Sequence, residues 1–295
     1  MTNRAGNSCI QSMMKQKTLL LLLLCALTVS APTTPLHAQT DTADVALSCY
    51  ARPTVLPQKA WLVGMGSAEV LDTYLSQEKH RGSALQFVSQ TERPTKWLHV
   101  SQVMDQQISL LSCHNRADNG QQIGGDYRFQ YSLRRNWLLA GSRLRLNAGG
   151  GVDANIGFLY NTRNGNNPAQ AKLALNLAPS ACAEYVFYRK QKSPLYLRYE
   201  ATVPLAGLMF SPNYGQSYYE IFNRGNYDRN IVPTTVMATP SLRHALTLDF
   251  RLWGRWVRVG YMGDYRQASV NNLKYHSYAH MLVVGLATRG DKKGE

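Results

Sequence analysis

The chain has 295 residues, 44% of them hydrophobic and 17% charged, with 32 basic against 18 acidic side chains and a formal net charge of +14. No stretch after residue 38 stays apolar for the roughly eighteen residues a spanning helix needs, which excludes a helical membrane protein. Five cysteines at wide spacing exclude a disulfide framework.

Met13–Ala38 reads MMKQKTLLLLLLCALTVSAPTTPLHA. Lys15 and Lys17 precede an apolar run from Leu19 to Val29, and Leu36-His37-Ala38 offers a small-residue exit. That layout is a secretory signal peptide over residues 1–38, with Met13 or Met14 as alternative starts. Cys25 follows three leucines rather than a small residue, so the pattern is not that of a lipoprotein. Removal of the leader takes Arg4, Lys15 and Lys17 and no acid, so the charge falls by three, from +14 to +11. An exported basic protein meets phosphorylated lipid rather than nucleic acid. Cys49, Cys113 and Cys182 remain, enough for one pair at most.

Residues 39–59 read as a periplasmic N-terminal segment. From Trp61 onward the dominant period is two. In Arg143–Phe158 (RLRLNAGGGVDANIGF), Leu144, Leu146, Val152, Ile156 and Phe158 share one parity, while Arg143, Arg145, Asn147, Asp153 and Asn155 share the other. A strand built this way has one apolar and one polar face. The same alternation runs through Gly125–Arg134, Lys172–Arg189, Leu195–Val203, Leu242–Leu252 and Trp256–Arg266. It is looser in Trp61–Ala68, Ser83–Thr91, Trp97–Leu110 and Tyr275–Thr288.

That makes about ten strands. Short, often basic turns fall at Glu92–Lys96, Arg134–Gly141, Arg189–Pro194 and Trp253–Arg255. Longer polar links fall at Leu71–Gly82, Ser112–Gln122, Asn161–Gln170, Leu205–Pro240 and Gln267–Lys274. Short turns at one end and long loops at the other predict an all-β, up-and-down antiparallel transmembrane β-barrel over 60–289, with a polar tail at 290–295. The competing reading is a soluble sandwich or lipocalin-like barrel. Strand length and an apolar parity almost free of charge favour the membrane form. Its location would be the outer membrane. Anionic lipopolysaccharide and the barrel-assembly machinery would be its partners.

Barrels of this size have lumens largely filled by side chains. The inward set would include Arg128, Arg143, Arg145, Asp153, Glu184, Arg198, Glu200, Asp249, Arg251, Arg258, Asp264 and Arg266, a density that predicts bridging guanidinium–carboxylate networks. An arginine ladder conducting anions is the alternative.

The segments VLDTYLS (70–76), NTRNGNNPAQAKLALNLAPS (161–180), LAGLMFSPNYGQSYYEIF (205–222), PSLRHALTLDF (240–250) and NNLKYHSYAHMLVVG (271–285) together resemble a family of Bacteroidota outer-membrane β-barrel proteins catalogued as a domain of unknown function. The resemblance covers roughly Trp61 to Ala287 and implies the same fold and location, but no activity. One departure stands out: the chain ends ATRGDKKGE, without a terminal aromatic closing strand.

Ser211–Asn230, SPNYGQSYYEIFNRGNYDRN, interrupts the alternation with tyrosine and asparagine. The favoured reading is a lid or plug that folds over or into the barrel mouth. Such residues also suit a binding loop, and in that alternative Tyr214, Tyr218, Tyr219, Glu220, Phe222 and Tyr227 are candidate contacts for a surface glycan or small ligand. His276 and His280, with Ser277, are the weak catalytic candidates for an outer-membrane hydrolase acting on lipid or a surface polymer. No G-x-S-x-G, HExxH or calcium-loop motif occurs, and no cofactor or metal is expected. The leading expectation is a non-catalytic envelope barrel with a polar, largely filled lumen. The runners-up are the hydrolase and a narrow loop-gated channel.

Overall fold

The computed structural model describes residues 57–97, 99–187 and 194–290; the leader and most of the 39–59 segment lie outside the described residues. Ten long strands form the wall: β1 (Gln58–Asp72), β2 (Ser76–Pro94), β3 (Val100–Asn115), β4 (Gln121–Leu139), β5 (Leu144–Asn161), β6 (Ala169–Phe187), β7 (Leu195–Thr202), β10 (Ser241–Leu252), β11 (Arg255–Val270) and β12 (Leu273–Arg289). Each pairs antiparallel with its sequence neighbour, β10 pairs β7, and β1 closes the ring against β12 from Gln58↔Arg289 to Asp72↔Tyr275. Two short strands, β8 (Ala206–Phe210) and β9 (Ile231–Thr235), and one short helix, α1 (Tyr218–Phe222), complete the fold. The architecture is a closed ten-strand antiparallel barrel with two extra strands.

The extra hairpin is a departure from the expectation of an irregular Leu205–Pro240 link. Ala206–Leu177 pairing continues the line of β7 along β6, and β9 runs back along β8 with Pro233 opposite Leu208. Val203–Leu205 and Val236–Pro240 are the bulged joints of one long bent hairpin. Alternation does not reveal it, because AGLMF is apolar or glycine throughout.

The expected links are also shorter than read. Only Thr73–Leu75 separate β1 from β2, and Asn271-Asn272 join β11 to β12. Both asparagines sit at positive φ, 52° and 60°, as a primed two-residue hairpin turn requires. Strands of 15 to 19 residues exceed the roughly 9–11 needed to cross hydrocarbon. Their upper ends, such as Gln77-Glu78-Lys79, are polar on both faces, so the period-two signal fades there.

The two faces of the wall differ as the alternation requires. Outward positions carry Met65, Phe87, Ile108, Leu110, Ile156, Phe158, Leu175, Leu177, Leu282, Val284 and Leu286, all exposed. Inward positions on β4 to β7 and on β10 and β11 carry buried Arg128, Gln130, Arg134, Arg145, Asp153, Glu184, Arg198, Glu200, Asp249 and Arg258. The strands β12, β1 and β2 depart from this pattern. Their inward faces pack Leu62, Val70, Val88, Met281 and Val283 into an apolar cluster, so one side of the lumen is a small hydrophobic core. This is why their alternation reads as loose.

Gly149 and Gly151 on β5 mark a close approach to β4. A Cβ at these positions would lie 1.9 Å from Leu133 O and 1.8 Å from Tyr131 O. Only glycine allows the β4 backbone so close.

Candidate functional site: the filled lumen and its lid

In a closed ring of ten strands, those five places apart face each other across the lumen. The order given by the pairings makes the facing pairs β1/β6, β2/β7, β3/β10, β4/β11 and β5/β12. Four of these five pairs are joined directly by charge. Lys172 Nζ of β6 lies 2.6 Å from Asp72 of β1, and Arg198 of β7 lies 3.3 Å from Glu92 of β2. Arg243 of β10 lies 4.0 Å from Asp105 of β3. Between β4 and β11, Arg128 reaches Asp264 at 3.3 Å and Arg266 reaches Asp126 at 3.1 Å. Side chains that meet across the full diameter cross the lumen at each of these levels.

The network toward the short-turn end is denser. Glu92, 1% exposed, accepts two hydrogen bonds from Arg145 at 2.6 and 3.1 Å and a third from Arg198. Glu200 accepts from Arg134 at 2.6 Å, from Arg198 at 3.0 Å and from Gln90 at 2.7 Å. Gln90 in turn accepts from Arg258, whose guanidinium forms a fork with Asp249 at 2.6 and 2.8 Å. Arg289, the last residue of β12, reaches Glu184 at 2.6 Å and Asp249 at 2.7 Å and lies 3.6 Å over the Tyr196 ring. The guanidinium donates up to five N–H groups in a fixed plane, so it links two acids at once in a way that lysine does not.

Of the inward charges expected from sequence, Arg128, Arg145, Asp153, Glu184, Arg198, Glu200, Asp249, Arg258, Asp264 and Arg266 stand in this lumen. Arg143 and Arg251 do not. Arg143 is exposed in the β4–β5 turn, and Arg251 is exposed at the end of β10 with its Nε on Gly254 O. Parity alone extends past the rim into solvent and misplaces both. Glu92, Arg134, Asp126, Lys172 and Arg289 join the network without having been singled out. Glu92 falls in a segment read as a turn, although it keeps the parity of Gln86 and Gln90. Asp72 also fixes the first turn by accepting from Tyr74 N at 3.0 Å.

Ser211–Asn230 folds across the opposite mouth. Tyr74 in the β1–β2 turn donates to Gln216 O at 3.0 Å, and Asn271 in the β11–β12 turn donates to Ser211 O and Arg229 O, each at 3.0 Å. Tyr218 Oη accepts from Ala171 N of β6 at 2.7 Å, and its ring meets Tyr74 edge-on at 5.9 Å. Burial pushes the Tyr218 hydroxyl up to about 12, so it stays a neutral partner at physiological pH. Ile221 is the fully buried residue of α1. A capping box starts this helix: Ser217 Oγ accepts from Glu220 N, and Glu220 accepts from Ser217 N at 3.1 Å. Gln216 ties the loop to itself through Asn213, Asn226 and Asn230. From the far side, Asn161 and Asn164 donate to Leu75 O.

The six loop residues proposed as surface contacts therefore divide. Tyr218 is half-buried and packs into the lid, and Glu220 is used by the helix cap. Tyr214, Tyr219, Phe222 and Tyr227 are 58–68% exposed, with Arg224 5.7 Å over the Tyr219 ring.

His276 and His280 face outward from β12. His280 Nδ1 lies 2.7 Å from Tyr261 Oη and 3.3 Å from Tyr265 Oη, and His276 Nε2 lies 3.3 Å from Glu69. Ser277, one residue along the strand, takes the opposite, lumen-facing side, so strand geometry keeps it away from both imidazoles. Cys113 and Cys182 are buried free thiols on β3 and β6. Among the described residues no cluster of three or more His, Cys, Asp or Glu could hold a metal ion.

Fold and site together define a closed antiparallel β-barrel with a charge-bridged lumen and a folded lid. The sequence over residues 19–290 matches DUF3316, a family of proteins of unknown function, and the chain belongs to that family. No curated protein matches it. Among solved structures it is similar to the transport unit of the autotransporter AIDA-I from Escherichia coli, at 7% identity and TM-score 0.42, covering 80% of this chain and 92% of that one. It is also similar to the outer membrane protease OmpT from Escherichia coli, at 7% identity and TM-score 0.41, covering 81% and 97%. A third is the beta domain of the Bordetella autotransporter BrkA, at 10% identity and TM-score 0.39, covering 80% and 99%. The barrel itself rests on the strand pairings described above.

Proposed function

We propose that this protein is a non-conducting, non-catalytic barrel of the bacterial outer membrane, of the Bacteroidota lineage suggested by its motifs, that works through its lidded outer end. The observation that carries the reading is the set of ion pairs between facing strands, which occupy the lumen from wall to wall. The exposed apolar belt supports the membrane location. Leu282, Met65, Leu177, Ile156 and Leu175 are each more than half exposed, and a soluble monomer rarely shows apolar patches larger than a few hundred Å². A removable leader and the barrel-assembly machinery would bring the chain there. Both ends of the described wall, Gln58 and Arg289, pair at the short-turn end. The lid is then on the outside, with the exposed rings of Tyr214, Tyr219, Phe222 and Tyr227 free to contact a surface glycan or small ligand.

Single-channel recording on the purified barrel in a planar bilayer tests this. The intact chain and a variant with residues 211–230 replaced by Asn-Gly are both expected to be silent, because the ion pairs lie below the lid. Steady conductance in the intact chain would refute the reading. Conductance that appears only in the variant would make the loop a plug and the protein a gated pore.

A further inference from the structure

Outward from the lumen, β2 and β3 present an ordered column of side chains. The cross-strand pairs run Arg81↔His114, Ser83↔Ser112, Leu85↔Leu110, Phe87↔Ile108 and Ser89↔Gln106 from the lid end downward. At the top, Lys79 and Arg81 both reach Glu69, at 3.2 and 2.7 Å, and His276 reaches the same carboxylate at 3.3 Å. Three basic side chains share one acid, and the Lys79 and Arg81 side chains remain 55% and 75% exposed. Directly below, the small Ser83 and Ser112 leave a groove of about 660 Å³ walled by Met65, Leu85, Leu110 and Phe158. A second, separate groove of about 250 Å³ lies lower, at Ser89 and Gln106, beyond the Phe87 and Ile108 side chains.

We propose that this face is a specific binding site for a lipid with an anionic phosphate head, its phosphate on Lys79 and Arg81 and one acyl chain in the groove. The proposal rests on the membrane reading above. Its dimensions fit. From Ser83 in the first groove to Ser89 in the second, across the apolar Phe87 and Ile108 side chains, is six residues, ~20 Å along the strand at ~3.4 Å per residue. At the usual ~45° tilt that is ~14 Å of depth, about one leaflet of a ~30 Å hydrocarbon core. Charge selects the head: two mobile cations against one shared carboxylate attract a phosphate, while the apolar groove beneath accepts only a hydrocarbon tail. Ion pairs to the phosphate would replace, not add to, the contacts with Glu69, so the exchange costs little desolvation at this exposed rim.

Native mass spectrometry of the full chain released from detergent, after incubation with phosphatidylglycerol or phosphatidylcholine, is the test. One phosphatidylglycerol is expected to stay bound in preference to phosphatidylcholine. The double variant Lys79→Glu/Arg81→Glu should lose that preference by at least about tenfold. Ser83→Trp, which fills the groove at an outward position, should lower retention of both lipids. Equal retention of the two lipids, or a charge-reversed variant that keeps its preference, would overturn the site. So would a dimer that Ser83→Trp abolishes, since a second copy would then occupy the groove. Heat-modifiable gel migration on the same samples separates the causes. A heat-modifiable barrel without lipid preference sinks this inference alone, whereas a chain extracted without detergent and showing no heat-modifiable band sinks the membrane reading as well.

Discussion

Glu92 is the side chain whose loss should be felt most. It is 1% exposed and lies between Arg145, held by two hydrogen bonds, and Arg198, facing it across the barrel. In Glu92→Ala, Arg145 retains Glu184 at 3.5 Å and Arg198 retains Glu200 at 3.0 Å. The group bridged around Glu92 then holds Arg134, Arg145, Arg198, Arg258 and Arg289 against Glu184, Glu200 and Asp249, five cations to three anions where there had been four, with the Arg243–Asp105 pair beside it unchanged. Breaking a buried pair by removing one partner costs about 3–5 kcal/mol, because a desolvated charge is left behind. The surviving partners place the expected loss near the lower end, about 3 kcal/mol. Urea titration of the folded barrel in lipid vesicles, followed by tryptophan fluorescence, measures it. The companion Glu92→Met/Arg145→Met, which removes both members, should recover most of the loss. A Glu92→Ala variant within about 1 kcal/mol of the parent, or a double variant no better than the single, would refute the claim that these charges are buried together.

Other outcomes follow from the same geometry. Gly151→Val would drive a Cβ into Tyr131 O, so little heat-modifiable barrel should form on refolding; a normal yield would show that the β4 and β5 backbones do not approach so closely there. Tyr218→Phe leaves the Ala171 N–H without its acceptor and should loosen the lid by about 1 kcal/mol, read as faster tryptic cleavage after exposed Arg224 and Arg229; unchanged cleavage would count against the lid contact. In an alkaline absorbance titration, the difference between parent and Tyr218→Phe should show one hydroxyl ionising near 12 rather than near ~10. By linkage, the stability that Tyr218 adds to the closed lid is fully present below ~10 and is lost as pH rises toward 12; ionisation of that hydroxyl near ~10 would contradict its burial. Cys113 and Cys182, both buried, should resist maleimide in the folded protein and react after denaturation, as mapped by peptide mass spectrometry; rapid labelling of either in the folded state would contradict a packed lumen.

The sequence by itself determined the fold class, a count of about ten strands and, where alternation is strict, which parity faces the lumen. A side chain every 3.4 Å or so must point to alternate sides of a sheet, so Leu144 and Leu146 against Arg145 and Asn147 leave one arrangement that keeps both sets satisfied. It also marked Ser211–Asn230 as exceptional, since no parity there could serve a strand. Only the tertiary structure decided which charges meet. Glu92 and Arg198 are 106 residues apart, and nothing local to either says that closure of the ring sets β2 opposite β7. The structure also decided that β12, β1 and β2 turn an apolar face inward, a choice invisible where both faces are greasy. It placed Arg143 and Arg251 in solvent beyond the rim. And it set Ser277 against His276 and His280 on opposite sides of one strand. Where it is strict and lies within the wall, alternation fixes the side each residue takes, whereas the partner across the lumen depends on ring closure, a property of the whole chain.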